Sequence, residues 1–318
     1  MPDAPHGTRT YSYLGPAGTF TEAALAQVPE AAGQIWKPVA NVAQALADVT
    51  DGSSHGAMIA IENTVEGGVS SAQDALANTR GLRIVGEYLV PVTFLLVAPR
   101  GSALADVTDI AAHPVAYAQC LQWLGRNVPG HSQVVAASNV ASAIGLLDGT
   151  LPAQAAIAAP GVVDHYDLEV LAEGIGDNPD AVTRFVLVTR KVVPPERTGA
   201  DKTSLVVELP KEVPGALVEM LEQFATRGIN LSLIQSRPIG DRLGRYRFVI
   251  DADGHIADER MADAVMGLKR FSPSVTFLGS YPRADHEAVE HEQRYSDASF
   301  ADARDWLREI LSGEDQRD

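Results

Sequence analysis

The sequence predicts an α/β protein with a doubly wound first part and a smaller second part in the order βαββαβ. Two observations predict this architecture. In residues 11–170, apolar strand-like runs alternate with helical stretches, which is the pattern of doubly wound sheets. Residues 191–202 then form a polar, proline-bearing connection, and the order of elements changes after it. At 318 residues the chain is long for one core, so we expect two or three compact units.

The composition limits the classes of function. The chain has 25 basic and 41 acidic residues, so its long-range field repels nucleic acid and anionic membranes but does not exclude a small anionic substrate. A single cysteine, Cys120, excludes an intrachain disulfide and a cysteine-rich zinc site and fits a reducing cytoplasm. The sequence shows neither a signal peptide nor an apolar run of membrane-spanning length, so we predict a cytoplasmic protein.

The first part begins with a predicted strand at residues 10–14. Thr19 and Glu22 then have the spacing of a capping box and predict a helix start, and Asn41 predicts the cap of the next helix. Two apolar runs at residues 82–97 are a candidate crossing between two lobes. The other strands predicted in this part lie at residues 35–39, 57–61, 110–112, 133–136 and 155–159. The other helices are one at residues 139–147, one starting near Ser70-Ser71, and one after His113-Pro114 that carries Tyr117, Gln119, Cys120, Leu121 and Trp123.

The second part reads as two strand-helix-strand units, which is the ferredoxin-like order. Its strands are predicted at residues 204–209, 229–236, 245–251 and 275–279, and its helices at residues 215–226 and around residues 261–268. The tail from residue 283 is acidic but carries apolar residues at helical spacing, so we expect one amphipathic helix docked on the rest of the chain or on a partner.

Polar side chains stand at two strand boundaries. Glu62-Asn63-Thr64 follows a buried strand, and ligands of open α/β sheets bind beyond the carboxyl ends of strands. Thr183-Arg184-Phe185 stands where a polar loop enters a strand, so Thr183 and Phe185 should share one face and Arg184 the other. Each boundary is therefore a candidate site, and at this point the alternatives stay open that one is an ordinary strand start with an exposed arginine and the other a polar loop that ends a strand.

A third candidate is the turn at Gly15-Pro16-Ala17-Gly18, which precedes the helix that starts at Thr19. Free backbone N–H groups at a helix N-terminus favour a carboxylate or a phosphate. The turn has neither the GxGxxG spacing nor the lysine of a phosphate loop, and taken alone it is better explained as an ordinary βα turn. His286, Glu287 and His291 resemble a zinc helix, but the five-residue spacing of the two histidines turns them apart, so no metal site is predicted.

Six motifs in sequence resemble the monofunctional prephenate dehydratases. They are YLGPAGTFTEAAL (13–25), IENTVEGGV (61–69), AHPVAYAQC (112–120), TRF (183–185), PGAL (214–217) and QSRP (235–238). The resemblance implies a two-lobed catalytic domain similar to type II periplasmic binding proteins (residues 1–190), a linker (191–202), an ACT regulatory domain (203–282) and a helical tail (283–318). It also implies conversion of prephenate to phenylpyruvate, water and carbon dioxide without a metal or other cofactor.

The resemblance also implies roles for single residues. Thr183 matches the family's catalytic threonine and would hydrogen-bond the departing hydroxyl, and Glu62 is a candidate proton donor. The residues expected to bind and orient the substrate are Arg184, Asn63, Gly18, Thr19, Thr64, Gln119 and Phe185. Phenylalanine is the implied feedback effector, bound between ACT domains of a homo-oligomer, either a dimer or a tetramer. The implied effector residues are Pro214, Gly215, Ala216, Leu217, Asn230, Ser236, Arg237 and Pro238.

Three positions depart from the family pattern: Ala112 before His113, the loop Glu66-Gly67-Gly68, and Gln235 in place of a glutamate. The last removes a charge, so we expect the effector to bind more weakly. Two other functions stay open at this point: arogenate dehydratase, which performs the same chemistry on the aminated substrate, and a catalytically silent sensor of aromatic acids.

Overall fold

The computed structural model of the chain describes residues 7–65, 67–190, 192–210, 213–240, 245–288 and 290–313. The strands of this described part are β1 Thr10–Leu14, β2 Ile35–Val39, β3 Gly56–Asn63, β4 Gly67–Gly68, β5 Leu82–Pro91, β6 Leu95–Ala98, β7 Asp109–Ala112, β8 Ser132–Val135, β9 Ala155–Ala158, β10 Glu169–Ala172, β11 Val182–Arg190, β12 Asp201–Glu208, β13 Leu231–Pro238, β14 Tyr246–Asp253 and β15 Val275–Pro282. The α-helices are α1 Phe20–Leu25, α2 Val42–Asp51, α3 Ser70–Asn78, α4 Pro114–Ala118, α5 Leu121–Asn127, α6 Asn139–Leu147, α7 Val162–His165, α8 Ala216–Ala225, α9 Glu259–Phe271 and α10 Asp297–Ser312.

The chain divides into two compact units. The first contains the described residues up to Ala72 and those from Tyr88 to Val188. The second contains Gln73–Glu87 and the described residues from Thr189 onward. The sequence predicted a single boundary at residue 190 from composition alone. The structure differs, because residues 73–87 also belong to the second unit. Lys191, at the start of the predicted linker, lies outside the described residues.

Two sheets build the first unit, so the strand-helix alternation folds into two lobes. One sheet has the order β2-β1-β3-β11-β5, with β4 paired to β3. β1 pairs parallel with β2 on one side and with β3 on the other; β1 and β3 are mostly buried, as central parallel strands require, whereas β2 is a partly exposed edge strand. β11 lies next to β3 although Asn63 and Thr183 are 120 positions apart in the sequence, and this pairing brings the two polar strand boundaries together.

The second sheet of this unit has the order β10-β6-β9-β7-β8. β9 is entirely buried. It pairs parallel with β7 and antiparallel with β6. One core cluster on this sheet includes Leu96, Ile110 and Ile157, and another includes Val97, Ala143 and Val162. The lobe is therefore packed on both faces of its sheet.

The second unit contains the predicted βαββαβ fold. Its sheet has the order β13-β14-β12-β15 with antiparallel neighbours. α8 and α9 contribute Met220, Phe224, Met261 and Leu268 to one core with the sheet. The predicted element order is confirmed.

Two helices, one in each unit, differ from or extend the sequence expectations. The helix predicted through Tyr117 and Trp123 is wrong as one element, because the chain forms α4 and α5 with a break at Gln119 and Cys120. The tail does form a helix, α10, but Trp306, Leu307, Ile310 and Leu311 on it are all about half exposed or more. None of the described helices is both long enough and apolar enough to cross a bilayer.

Candidate active site

The Thr183-Arg184-Phe185 motif begins strand β11, and alternation sends its side chains to opposite faces. Thr183 and Phe185 line a cavity of about 270 Å³ in the first unit. Arg184 lies on the other face, where its Nε donates to Glu62 Oε2 at 3.0 Å. The motif thus gives the cavity a hydroxyl and an aromatic ring, while the cation is paired elsewhere.

Asn63 ends β3 and contacts Thr183 directly. Its Nδ2 donates to Thr183 Oγ1 at 2.8 Å, and its Oδ1 accepts the backbone N–H of Val65 at 2.7 Å. The Val65 N–H can only donate, so it fixes the amide with Nδ2 toward Thr183. Thr183 Oγ1 therefore accepts from Asn63, and its own O–H has no acceptor among the described residues. That proton can be donated to a ligand in the cavity.

Thr64 joins the two strands rather than facing the cavity. Its N–H donates to the carbonyl of Val182 and its Oγ1 accepts the Val182 N–H, both at 3.0 Å. These two bonds fix the end of β3 against the start of β11. The position of Thr183 relative to Asn63 depends on them.

The start of α6, which packs on the sheet that contains β6, β7 and β9, forms a second wall of the cavity. Ser138 caps this helix by accepting the Ala141 N–H at 3.0 Å, so the N–H groups of Asn139 and Val140 have no intrahelical acceptor. Asn139 Oδ1 is buried without a hydrogen-bond partner in the described structure. The sequence analysis found the helix but not this role, because nothing in the sequence shows that its N-terminus lines the same cavity as Thr183.

The cavity wall is mixed in polarity. Its described lining residues are Leu14, Gly15, Thr19, Phe20, Thr21, Ala60, Asn63, Val69, Ser138, Asn139, Val140, Ala159, Thr183 and Phe185. None of these is a lysine or an arginine. Carboxylates in this cavity would therefore be held by neutral donors and the positive end of α6. The volume is close to the lower end of the roughly 300 to 1,000 Å³ of small-molecule sites.

The start of α1 links the two sheets. Thr19 caps the helix as predicted, accepting the Glu22 N–H at 3.3 Å. Glu22 does not complete the capping box. Its Oε2 accepts from Gly18 N at 2.5 Å and lies 2.9 Å from Nε2 of His165, which belongs to the other lobe. The predicted use of the Gly18 N–H for a substrate carboxylate is thus corrected, because Glu22 already occupies it.

The environment of Glu22 perturbs a neighbouring phenol. Tyr13 Oη donates to Glu22 Oε1 at 3.2 Å. Burial, together with the nearby Glu22 carboxylate, raises the pKa of Tyr13 well above its usual value. Tyr13 stays protonated and continues to donate to Glu22.

Gln119 does not line the cavity. Its side-chain Nε2 donates to the backbone carbonyl of Val115 in its own helix at 3.2 Å, and its backbone carbonyl accepts the Asp177 N–H at 2.7 Å. Asp177 in turn accepts the N–H groups of Gln122 and Trp123 and caps α5. The Gln119 segment thereby anchors the loop that precedes Thr183. Burial raises the pKa of the neighbouring Cys120 to about 12, which agrees with an unreactive core thiol.

The predicted effector residues lie in the second unit. Gly215, with φ of 89°, precedes α8, and a side chain is strained at that angle. Asn230 Nδ2 donates to Asp253 Oδ2 at 2.7 Å, and Arg237 pairs with Asp74. Ser236 and Pro238 are exposed on β13. The polar groups of Asn230 and Arg237 are thus held by the protein itself.

Comparisons with known proteins agree on one family. A family model described as prephenate dehydratase matches residues 11–193. A protein named prephenate dehydratase from Amycolatopsis methanolica is 41% identical over 304 residues, covering 95% of this chain and 98% of that protein. The crystal structure of prephenate dehydratase from Arthrobacter aurescens in complex with L-Phe is 54% identical, with a TM-score of 0.91, and covers 95% of this chain and 99% of that one.

A solved structure with a different description is also similar. A protein described as GqqA, a novel type of quorum quenching acylase, is 30% identical with a TM-score of 0.77, covering 86% of this chain and 98% of that one. The fold therefore occurs in proteins described by two activities.

Proposed function

The chain belongs to the prephenate dehydratase family, and we propose that its reaction takes place in the cavity where Thr183 and Asn63 meet. The observation that carries this proposal is the fixed hydrogen bond from Asn63 to Thr183. It leaves the threonine O–H as a donor toward the cavity. A directed donor is what a departing hydroxyl group requires.

The chemistry needs one proton and two broken bonds. Loss of the ring carboxylate as carbon dioxide leaves its electron pair in the ring, the C–O bond to the ring hydroxyl breaks, and the departing hydroxide takes up a proton to become water. The ring becomes aromatic, which drives the reaction. Thr183 stabilises the departing oxygen through a hydrogen bond and can relay the proton, because its own hydroxyl is too weak an acid to donate outright.

Glu62 has a less direct part than the family resemblance implies. Its carboxylate accepts from Arg184 Nε on the face of β11 away from Thr183. We therefore assign this pair to positioning: it holds β3 and β11 in register at the point where Asn63 and Thr183 meet. Arg184 and Glu62 then contribute to catalysis through Thr183 rather than through the substrate.

The retained carboxylate, on the side chain of the substrate, has a binding place at the start of α6. The free N–H groups of Asn139 and Val140 and the hydroxyl of Ser138 stand at the positive end of the helix. Asn139 Oδ1 is buried without a partner in the described structure; it can only accept, so its partner is a donor such as an ordered water and not the carboxylate. Phe20 and Phe185 line the same cavity and suit the ring of the substrate.

We further propose that the second unit is an ACT domain that binds phenylalanine. Its strand order and antiparallel pairing support this, as does the L-Phe complex of the Arthrobacter relative. In this proposal, phenylalanine binds between subunits of a cytoplasmic dimer or tetramer, near Pro214 to Leu217 of one subunit and Ser236 to Pro238 of another. Calorimetric titration of the full chain with phenylalanine tests it, and absence of binding at millimolar concentration would contradict it.

The GqqA relative is described as an acylase, so acyl transfer is a second activity that the residues of the cavity can be compared with. A hydroxyl nucleophile requires an adjacent general base. Thr183 has Asn63 as its neighbour, and an amide cannot take up its proton. The described surroundings of Thr183 therefore favour the dehydratase.

Turnover of purified protein tests the assignment. We expect prephenate to yield phenylpyruvate and carbon dioxide, with turnover unaffected by chelators, and arogenate to react more slowly. Loss of activity on chelation that zinc restores would contradict the cofactor-free reaction, and faster turnover of arogenate would reassign the substrate.

A further inference from the structure

Helix α3 connects the cavity to the second unit along the chain. Val69 lines the cavity, and its N–H donates to the carbonyl of Ile61 in β3 at 2.9 Å. α3 begins at the next residue, Ser70. From Gln73 onward the helix belongs to the second unit. One continuous helix therefore starts at the cavity wall and ends among residues of the predicted regulatory fold.

Asp74, one turn into α3, is held by two arginines of the second unit. Arg237 Nε and Nη2 donate to its two carboxylate oxygens at 3.2 and 2.5 Å. Arg247 Nη2 donates to Oδ1 at 3.1 Å, and Arg247 Nη1 donates to Asn78 Oδ1 at 2.7 Å. The hydrogen bonds from Arg237, followed by those from Arg247, lower the pKa of Asp74 despite its partial burial. The bidentate geometry fixes direction as well as distance.

The two arginines lie directly opposite each other on β13 and β14. Like charges in that arrangement destabilise a pair of strands. The Asp74 carboxylate bridges them and offsets their repulsion. The position of α3 is thus coupled to the strand that carries Arg237.

The rest of the 73–87 segment is held equally firmly in the second unit. Glu87 accepts from Lys202 Nζ at 3.0 and 3.3 Å and from the Ala284 N–H at 3.0 Å. A Cβ added at Gly279 would lie 2.2 Å from the carbonyl oxygen of Ile84, so the two backbones are in close contact. Arg83 lies over the ring of Phe277, 5.2 Å from its centroid. The segment is therefore an integral part of this unit, and α3 cannot shift freely within it.

We propose that Asp74 is the residue through which the effector unit controls the cavity. The inference rests on the proposed effector function. Arg237, which holds Asp74, stands between Ser236 and Pro238 of the predicted effector motif, so an effector bound at this motif would lie next to the Asp74 bridge. An effector that displaces this strand must either move Asp74 or break its two-arginine bridge. α3 begins at the residue after Val69, so a shift of Asp74 displaces the start of this helix, and loss of the bridge removes the contacts that hold the helix to β13 and β14. Coupling then depends on Asp74, whereas effector binding does not.

The test compares phenylalanine binding with the effect of phenylalanine on prephenate turnover in the full-length chain. Wild type, Asp74→Asn and the matched control Asp51→Asn are titrated with phenylalanine by calorimetry and by steady-state turnover of prephenate. Asp51 is an exposed carboxylate at the end of α2, so the control removes the same charge elsewhere. We expect Asp74→Asn to bind phenylalanine within about threefold of wild type. Its coupling factor, the ratio of phenylalanine affinities without and with substrate, should fall from the roughly 5- to 150-fold range toward unity. Asp51→Asn should behave as wild type.

Arg247→Lys gives a second variant that retains the charge but loses the planar fork, and it should show a coupling factor between those of wild type and Asp74→Asn. An unchanged coupling factor in Asp74→Asn would overturn the inference, and so would loss of phenylalanine binding in that variant, since Asp74 would then support the binding site itself. Failure of wild type to bind phenylalanine is a distinct result, because it removes the effector function first and this inference with it.

Discussion

At the scale of single residues, the cavity is lined by Thr183 and Asn63 from two strand boundaries and by Ser138 and Asn139 from the start of α6. Thr183 and Asn63, which were predicted as site residues at two separate strand boundaries, contact each other; polar residues at strand boundaries carry a recognisable pattern, but the sequence did not show that these two boundaries meet. Ser138 and Asn139 gave only the signal of a capped helix. Their role in lining the cavity depends on which helix N-terminus lies near β11. The packing of the two sheets decides this, and it cannot be read from the sequence. The sequence also could not show that Glu22 occupies the Gly18 N–H.

The orientation of the Asn63 amide makes a prediction for this residue. In Asn63→Asp, the new carboxylate only accepts hydrogen bonds, so it would draw the Thr183 proton toward itself and away from the substrate. We expect kcat to fall by about 10²- to 10³-fold, the usual loss on removing one directed donor. Asn41→Asp, the same change at a helix cap where aspartate is equally suitable, should leave kcat unchanged. Similar kinetics in the two variants would show that the amide donor has no role.

Gly18 makes a second residue-scale prediction, because it lies against the other lobe. A Cβ at Gly18 would stand 2.9 Å from Val162 Cα, at a φ of 90°. Gly33 has a similarly positive φ of 70° but no atom within 4 Å of its added Cβ. Both alanine variants carry a backbone strain of about 1 to 2 kcal/mol. We expect Gly18→Ala alone to lower kcat/KM in addition, and equal activity of the two folded variants would contradict this.

At the scale of elements, helices and strands were predicted best where their own sequence pattern defines them. The helix at residues 139–147 and the βαββαβ order were correct, since each element has its own apolar period and its own caps. The single helix through Gln119 was wrong, because the capping of α5 by Asp177 is a contact 55 residues away along the chain. The assignment of residues 73–87 to the second unit also rests on tertiary contacts.

The buried pair between β5 and β12 provides a prediction at this scale. Glu87 and Lys202 are each 8% exposed, so removing one partner leaves an uncompensated buried charge. Lys202→Met should lower the free energy of unfolding by about 3 to 5 kcal/mol, and the double change Lys202→Met with Glu87→Leu should restore much of it. Arg100→Met, which removes one partner of an exposed pair, is the control and should have no measurable effect. Urea denaturation of the four proteins with wild type measures this, and a tolerated Lys202→Met would place the segment outside the second unit's core.

At the scale of the whole molecule, sequence motifs predicted the family and the two kinds of fold, and the comparisons confirm the family. The division into units follows from contacts instead, and it gives the second unit a segment that starts at Gln73, on the helix that follows Val69 along the chain. The proposed role of Asp74 rests on this connectivity. The net charge of −16 does not conflict with a dianionic substrate, because the cavity offers helix and amide donors in place of surface cations.

The most direct test of the account is the kinetics of Thr183→Ala beside Thr189→Ala. Both threonines are buried on β11, but the Thr189 hydroxyl donates to the carbonyl of Arg190 and does not line the cavity. We expect Thr183→Ala to lower kcat by about 10²- to 10⁴-fold with little change in KM or melting temperature, because it removes a donor used chiefly as the hydroxyl departs. Thr183→Ser should recover part of the loss, and Thr189→Ala should keep wild-type turnover. A folded Thr183→Ala protein with more than about a tenth of the wild-type kcat would contradict the central role of this hydroxyl.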